Sequence, residues 1–195
     1  MNWLWKDFWS IPTLIGTIGL VWAVGFNNHW WDAPFLPKKA SCDVCIDWSE
    51  AISAPDDYLE EWWDLTHSVQ ERLLNEDPFA CVDNALGVTG TSYLLRKGLL
   101  TEEENAVAIE LTARFADVDK TQPFQIATEE EIRDWFRLGL RRNRNVDLVL
   151  NANYPDNVSD AYLMCKAHID LGTIAKQKPG LPARVMRMTI RAQAR

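Results

Sequence analysis

The hydrophobic pattern of this chain is dominated by one uninterrupted apolar run near the N-terminus. Residues 8–26 contain no charged side chain. Nineteen residues in a helix span roughly 28 Å, which is close to the thickness of the hydrocarbon core of a bilayer. The pattern therefore predicts a single transmembrane helix over residues 8–26, preceded by a short N-terminal tail of residues 1–7.

Tryptophans flank this run on both sides. Indole rings favour the membrane–water boundary, where the apolar ring and the polar N–H are both satisfied. Gly19 and Ala23 lie four residues apart, which is the spacing that allows a second membrane helix to approach closely. The candidate membrane-interface residues are Trp3, Trp5, Trp9, Trp22, Trp30 and Trp31.

The run has three other interpretations. A secretory signal peptide is disfavoured because Lys6 is offset by Asp7 and no small-residue cleavage site follows. An interfacial amphipathic helix needs a charged face, which the run lacks. A helix buried in a soluble domain or in a partner protein stays an open alternative. Lys6 on one flank and Lys38 and Lys39 on the other leave the orientation in the membrane undetermined.

The pattern changes to helical amphipathicity after the run. Apolar residues recur at steps of three and four from Pro55 to Asn75, and two Thr-x-x-Glu capping signatures start further helices at Thr101 and Thr128. Residues 146–150 are ambiguous between helix and strand, and Ser159 is a candidate cap for the last long helix. The sequence predicts an all-α fold: one N-terminal transmembrane helix followed by a single helical domain of about five or six helices.

This pattern divides the chain into consecutive parts. A juxtamembrane linker that leads into the domain occupies residues 27–54, and the helical domain occupies residues 55–178. Residues 179–195 form a basic C-terminal tail, with a pattern that fits a short strand or a surface helix.

Charge is distributed unevenly along the domain. Between Asp43 and Asp77 there are eleven acidic residues and one basic residue. Between Arg133 and Arg195 there are twelve basic residues and five acidic ones. The two regions either contact each other or are solvated, and a further hypothesis places the basic end on anionic lipid or on an acidic partner. No nucleic-acid-binding module is visible, and nucleic acid is not a predicted partner.

The cysteines and one histidine carry the main candidate chemistry. A Cys-x-x-Cys pair opens the domain and a Cys-x-x-His pair lies on the last long helix. Together these pairs supply the ligand types of a tetrahedral zinc site, although they are far apart in sequence. A disulfide, a redox-active pair and unreactive buried thiols are the alternatives. The candidate zinc ligands are Cys42, Cys45, Cys165 and His168.

A second group of titratable residues lies along the Pro55–Asn75 helix at steps of four, three and four. Its members are Glu60, Asp64, His67 and Glu71. Carboxylate–histidine stripes bind metals when a second helix supplies matching ligands, but no second Glu-x-x-His occurs here. The sequence favours a solvated helix face.

These observations predict a single-pass membrane protein of structural, adaptor or accessory type, without catalysis of its own. The expected partners are the lipid bilayer and other membrane protein subunits, and no cofactor is expected. The alternative is a membrane-tethered thiol-redox or zinc-binding protein that uses the Cys-x-x-Cys and Cys-x-x-His pairs.

Overall fold

The regular secondary structure of the domain is helical. In a computed structural model, the described residues are 46, 48–84, 98–151 and 153–193, and this part of the chain contains helices and no strand. The prediction of an all-α domain is confirmed for these residues. The helices are α1 (Trp48–Ala51), α2 (Asp56–Glu76), α3 (Pro78–Asn84), α4 (Glu102–Arg114), α5 (Glu129–Arg142), α6 (Val146–Asn151), α7 (Val158–Lys176) and α8 (Leu181–Gln193).

The predicted membrane helix over residues 8–26 lies outside the described residues, and so do Gly19, Ala23 and the six flanking tryptophans. Within the described ranges, every helix is too short or too polar to cross a bilayer. The transmembrane helix therefore stays a prediction.

Both predicted capping boxes are present. The Thr101 hydroxyl accepts a hydrogen bond from the backbone N–H of Glu104, and the Glu104 carboxylate accepts one from the backbone N–H of Thr101. Thr128 and Glu131 repeat this exchange at the start of α5. Each box satisfies two of the N–H groups that a helix leaves unpaired at its first turn, which fixes where α4 and α5 begin.

Other helix boundaries differ from the sequence expectation. The sequence also offers Ser53 as a cap for α2, but Pro55 occupies the N-cap and makes no side-chain hydrogen bond. The α7 cap is Asn157, whose side-chain oxygen accepts a hydrogen bond from the backbone N–H of Asp160, and Ser159 lies inside the helix. The ambiguous residues 146–150 belong to helix α6.

Helix α7 is the central element of the domain, because it contacts α2, α3, α5, α6 and α8. Its first half packs into an apolar cluster built mainly by α2, α3, α4 and three residues of α8, namely Ala183, Met186 and Ile190. Its second half packs into another cluster with α5, α6 and the beginning of α8. Half-buried Trp63 of α2 and Val149 of α6 contact both clusters. Helices α7 and α8 thus both contribute buried residues to the two clusters.

The C-terminal segment is neither a strand nor a surface helix. Gly180, with a φ of +72°, ends the turn after α7, and α8 then buries one side in the domain. Its buried residues are Leu181, Pro182, Ala183, Val185, Met186, Arg187 and Ile190. The structure therefore makes residues 181–193 part of the helical domain, because their apolar side chains complete both clusters.

The acidic and basic regions of the sequence meet at this end of the domain. Arg187 of α8 pairs with Asp56 of α2 at 2.6 Å, and Lys176 of α7 pairs with Asp64 of α2 at 2.7 Å. Part of the charge asymmetry is therefore neutralised between neighbouring helices.

Candidate functional site

A disulfide joins Cys81 of α3 to Cys165 of α7. Both residues are completely buried, and their Cα atoms are 5.7 Å apart. The two sulfur atoms lie 3.5 and 4.0 Å from the backbone carbonyl oxygen of Gln70, which belongs to α2. The disulfide thus joins α3 to α7, which are distant in sequence, at a buried point where both helices contact α2.

This disulfide bears directly on the zinc hypothesis. Zinc binds cysteine as the thiolate, and the sulfur of Cys165 is already bonded to Cys81. A Cys42, Cys45, Cys165 and His168 site therefore requires that the disulfide be broken. Cys42 and Cys45 lie outside the described residues. Across the described ranges, no three His, Cys, Asp or Glu residues are placed to hold a metal ion.

His168 lies one turn beyond Cys165 on α7. Burial lowers the pKa of its imidazole from 6.5 to about 4, because the interior disfavours the charged form. The ring is therefore neutral at physiological pH. Protonation of the ring therefore opposes folding.

We expect acid to destabilise the domain through His168. The unfolded chain binds a proton on this residue near pH 6.5, whereas the folded protein binds it only near pH 4, so stability falls as the pH falls between these values. Because the His168 side chain is only partly shielded from solvent, the free energy of unfolding is expected to fall by about 1–2 kcal/mol between pH 8 and pH 5. Urea unfolding at several pH values measures it.

The control for this prediction is His168→Gln, which removes the titrating group. Its overall stability is expected to be lower, but the loss between pH 8 and pH 5 is expected to shrink. An unchanged pH dependence in His168→Gln would contradict the assignment of the effect to this residue.

The carboxylate–histidine stripe of α2 is a solvated face only in part, because Asp64 and Glu71 are exposed whereas His67 and Glu60 contact other elements. His67 is buried, and its Nε2 lies 3.2 Å from the Ile169 carbonyl oxygen and 3.3 Å from the Thr173 hydroxyl of α7. The Glu60 carboxylate accepts a hydrogen bond from the backbone N–H of Gly180, at 3.1 Å. The stripe faces α7 and the turn before α8, where it connects helices.

Gly172 allows this close approach of α2 and α7. A Cβ atom at this position would lie 2.5 Å from Cδ2 of the His67 ring. Gly172→Ala is therefore expected to destabilise the domain by about 1–3 kcal/mol through overpacking, even though alanine is the better helix former. Thermal or urea unfolding measures the change.

A double variant separates this steric effect from other causes. In a His67→Ala background the ring is absent, so Gly172→Ala is expected to be neutral or stabilising. An equal loss of stability in both backgrounds would show that the ring is not the obstacle.

Sequence reasoning did not identify Arg187 as a buried cross-link. Its side chain is 1% exposed, and its guanidinium donates hydrogen bonds to the carbonyl oxygens of Ile52 at 3.0 Å, Ala54 at 2.7 Å and Gln125 at 3.2 Å. The planar group satisfies three backbone carbonyls and pairs with Asp56. The signal that was available is the apolar spacing around this residue in α8, which places it on the buried side.

Three buried features hold the helices of the domain together. The disulfide, the His67 ring and the Arg187 guanidinium each connect elements that are far apart in sequence, and each lies where α2, α7 or α8 approach one another. Comparison of the chain with protein-family models, with curated proteins and with solved structures finds no match.

Proposed function

We propose that this protein is a membrane-anchored, non-catalytic accessory or adaptor subunit with its helical domain on the oxidising side of the membrane. The observation that carries the proposal is the buried Cys81–Cys165 disulfide. Structural disulfides form and persist in oxidising compartments, whereas cytosolic thiols are kept reduced. The predicted membrane helix over residues 8–26 supplies the anchor.

The internal cross-links support an adaptor role. A domain whose helices are fastened by a disulfide and by the Arg187 hydrogen bonds loses little conformational freedom when a partner binds. A preorganised helical surface next to a bilayer suits the assembly of membrane protein subunits. Cys165 is held in the disulfide and the His67 ring contacts α7, so both side chains have structural roles.

Fractionation of the full-length protein with a C-terminal tag tests the anchor and the topology together. We expect the chain to stay in the membrane pellet after carbonate extraction. In sealed vesicles, the domain is expected to be digested by protease only from the side that faces the oxidising compartment. The matched control is Ile15→Lys/Val21→Lys, which places two charges in the apolar run and is expected to release the protein.

Two results would contradict the proposal. Carbonate release of the unmodified chain would remove the anchor and favour a helix buried in a partner. Digestion of the domain only from the reducing side would place the disulfide in a compartment that does not sustain it. Cross-linking in intact membranes, followed by isolation under denaturing conditions, tests the accessory role: a discrete cross-linked membrane subunit is expected.

A further inference from the structure

We propose that an arginine-rich face on α5 docks the domain onto the anionic headgroups of the membrane that anchors it. The arginine face consists of Arg137, Leu138, Arg141, Arg142 and Arg144. This inference rests on the proposed function, because it concerns the surface that the tethered domain presents to the bilayer.

The arginine face is exposed and strongly basic. Residues 137–144 contain four arginines and no acidic residue, and all four arginine side chains are exposed. Arg137 pairs with Asp134 at 2.7 Å, whereas Arg141, Arg142 and Arg144 form no ion pair within the described part of the chain. The net charge of the whole protein is −8, so this positive face stands out from an otherwise acidic molecule.

The opposite side of α5 fixes the orientation of this face. The indole N–H of Trp135 donates a hydrogen bond to the Leu171 carbonyl oxygen of α7 at 2.8 Å. Gly139 packs against the Leu171 side chain, which leaves no room for a Cβ. Successive residues of a helix are about 100° apart, so Arg137 and Arg141 lie on the side opposite Trp135 and Gly139. Leu138 lies beside them, and Arg142 is exposed where the helix ends.

The residue types fit phosphate headgroups. All basic residues of the face are arginines, and the chain has no lysine between Lys120 and Lys166. The planar guanidinium binds phosphate oxygens in a bidentate manner, which an ammonium group does not do. Leu138 lies among the arginines with 38% of its surface exposed, and an apolar side chain at this place can enter the interfacial region of a bilayer.

A simpler explanation accounts for only part of this face. Arginines in the last turn of a helix stabilise the negative end of its dipole, and this applies to Arg141 and Arg142. It does not account for Arg144, which follows the helix, or for the exposed Leu138.

The length of chain before the domain favours lipid as the occupant. Residues 27–45 separate the predicted membrane helix from the first described residue, and these nineteen residues span at most roughly 60 Å when extended. The tether thus keeps the domain within reach of the bilayer and raises the effective concentration of headgroups around it. A fluid charged surface also requires no matching groove.

Arginine modification in nanodiscs tests the inference with the full-length chain. Phenylglyoxal labelling, read by mass spectrometry, is compared between nanodiscs of phosphatidylcholine and nanodiscs that contain about 30% phosphatidylglycerol. We expect Arg137, Arg141, Arg142 and Arg144 to react at least about threefold more slowly in the anionic nanodiscs. About 0.5 M NaCl is expected to abolish this difference in labelling rate, because salt screens the attraction between the arginines and the anionic headgroups.

Two variants of equal charge separate a local face from net charge. In Arg141→Gln/Arg142→Gln/Arg144→Gln, the protection of Arg137 is expected to be lost. In Lys166→Gln/Lys178→Gln/Arg191→Gln, which removes three positive charges elsewhere, the protection of Arg137 is expected to persist. Loss of protection in both variants would overturn the assignment to α5.

The remaining outcomes are also decisive. Equal labelling in the two lipids would overturn the inference, and protection by polyglutamate without protection by anionic nanodiscs would assign the face to an acidic protein. If the chain does not insert into nanodiscs, the proposed anchor fails. Cosedimentation of the uninserted chain with vesicles of the same two compositions then tests the face alone, and binding restricted to the anionic vesicles would support it.

Discussion

Replacing Cys81 and Cys165 together with alanine is expected to lower the free energy of unfolding by about 3–4 kcal/mol. The disulfide closes a loop with a sequence separation of 84 residues, for which chain entropy alone gives about 4.5 kcal/mol as an upper value. Both side chains are completely buried at the contact of α3, α7 and α2, so the truncation also loosens packing. Urea unfolding of the oxidised protein and of the double variant measures the difference.

Two controls distinguish the effect of losing the Cys81–Cys165 disulfide from the effect of changing cysteines in general. Cys42→Ala/Cys45→Ala removes the other two cysteines and is expected to change stability by much less. Reduction of the unmodified protein is expected to lower its stability toward that of Cys81→Ala/Cys165→Ala and to leave that variant unaffected. A double variant as stable as the unmodified protein would show that the disulfide does not hold these helices together.

Arg187→Met is expected to destabilise the domain by about 2–4 kcal/mol, because the buried carbonyl oxygen of Ala54 and the partly buried ones of Ile52 and Gln125 lose their donor. The guanidinium satisfies the carbonyl oxygens of Ile52, Ala54 and Gln125, and methionine provides no donor for any of them. The Asp56 carboxylate also loses its ion pair. Thermal unfolding and amide exchange of residues 50–58 report the global and the local effect.

Arg191→Met is the matched control, because Arg191 lies one turn further along α8 and is exposed. Its expected effect is within about 0.5 kcal/mol. Arg187→Lys keeps the charge but not the planar set of donors, and we expect it to recover only part of the lost stability. Equal effects of Arg187→Met and Arg191→Met would contradict the role assigned to the buried guanidinium.

The features predicted correctly from sequence are local ones. Thr101 and Thr128 begin helices because a hydroxyl and a carboxylate three residues apart satisfy each other's backbone N–H groups, and this exchange needs no tertiary contact. The helix α2 was likewise visible from its apolar spacing. Such signals lie within one turn of the chain, so one sequence suffices to detect them.

The features missed or left open depend on distant parts of the chain. The pairing of Cys81 with Cys165 brings together residues 84 positions apart, and spacing alone does not distinguish it from the other pairings or from a zinc site. The helical pattern places His67 on the face opposite Trp62 and Leu65, yet Gly172 on another helix makes room for its ring. The pattern places Arg187 in a basic tail, because burial of an arginine requires carbonyl partners that the sequence does not reveal.

The redox state of Cys81 and Cys165 in living cells tests the central claim most directly. Cells that express the full-length protein are quenched with acid, free thiols are alkylated, and membrane-fraction peptides are compared by mass spectrometry before and after reduction. We predict that Cys81 and Cys165 resist alkylation and appear as one cross-linked peptide pair. Complete alkylation of both residues before reduction would contradict a disulfide-fastened domain on the oxidising side of the membrane.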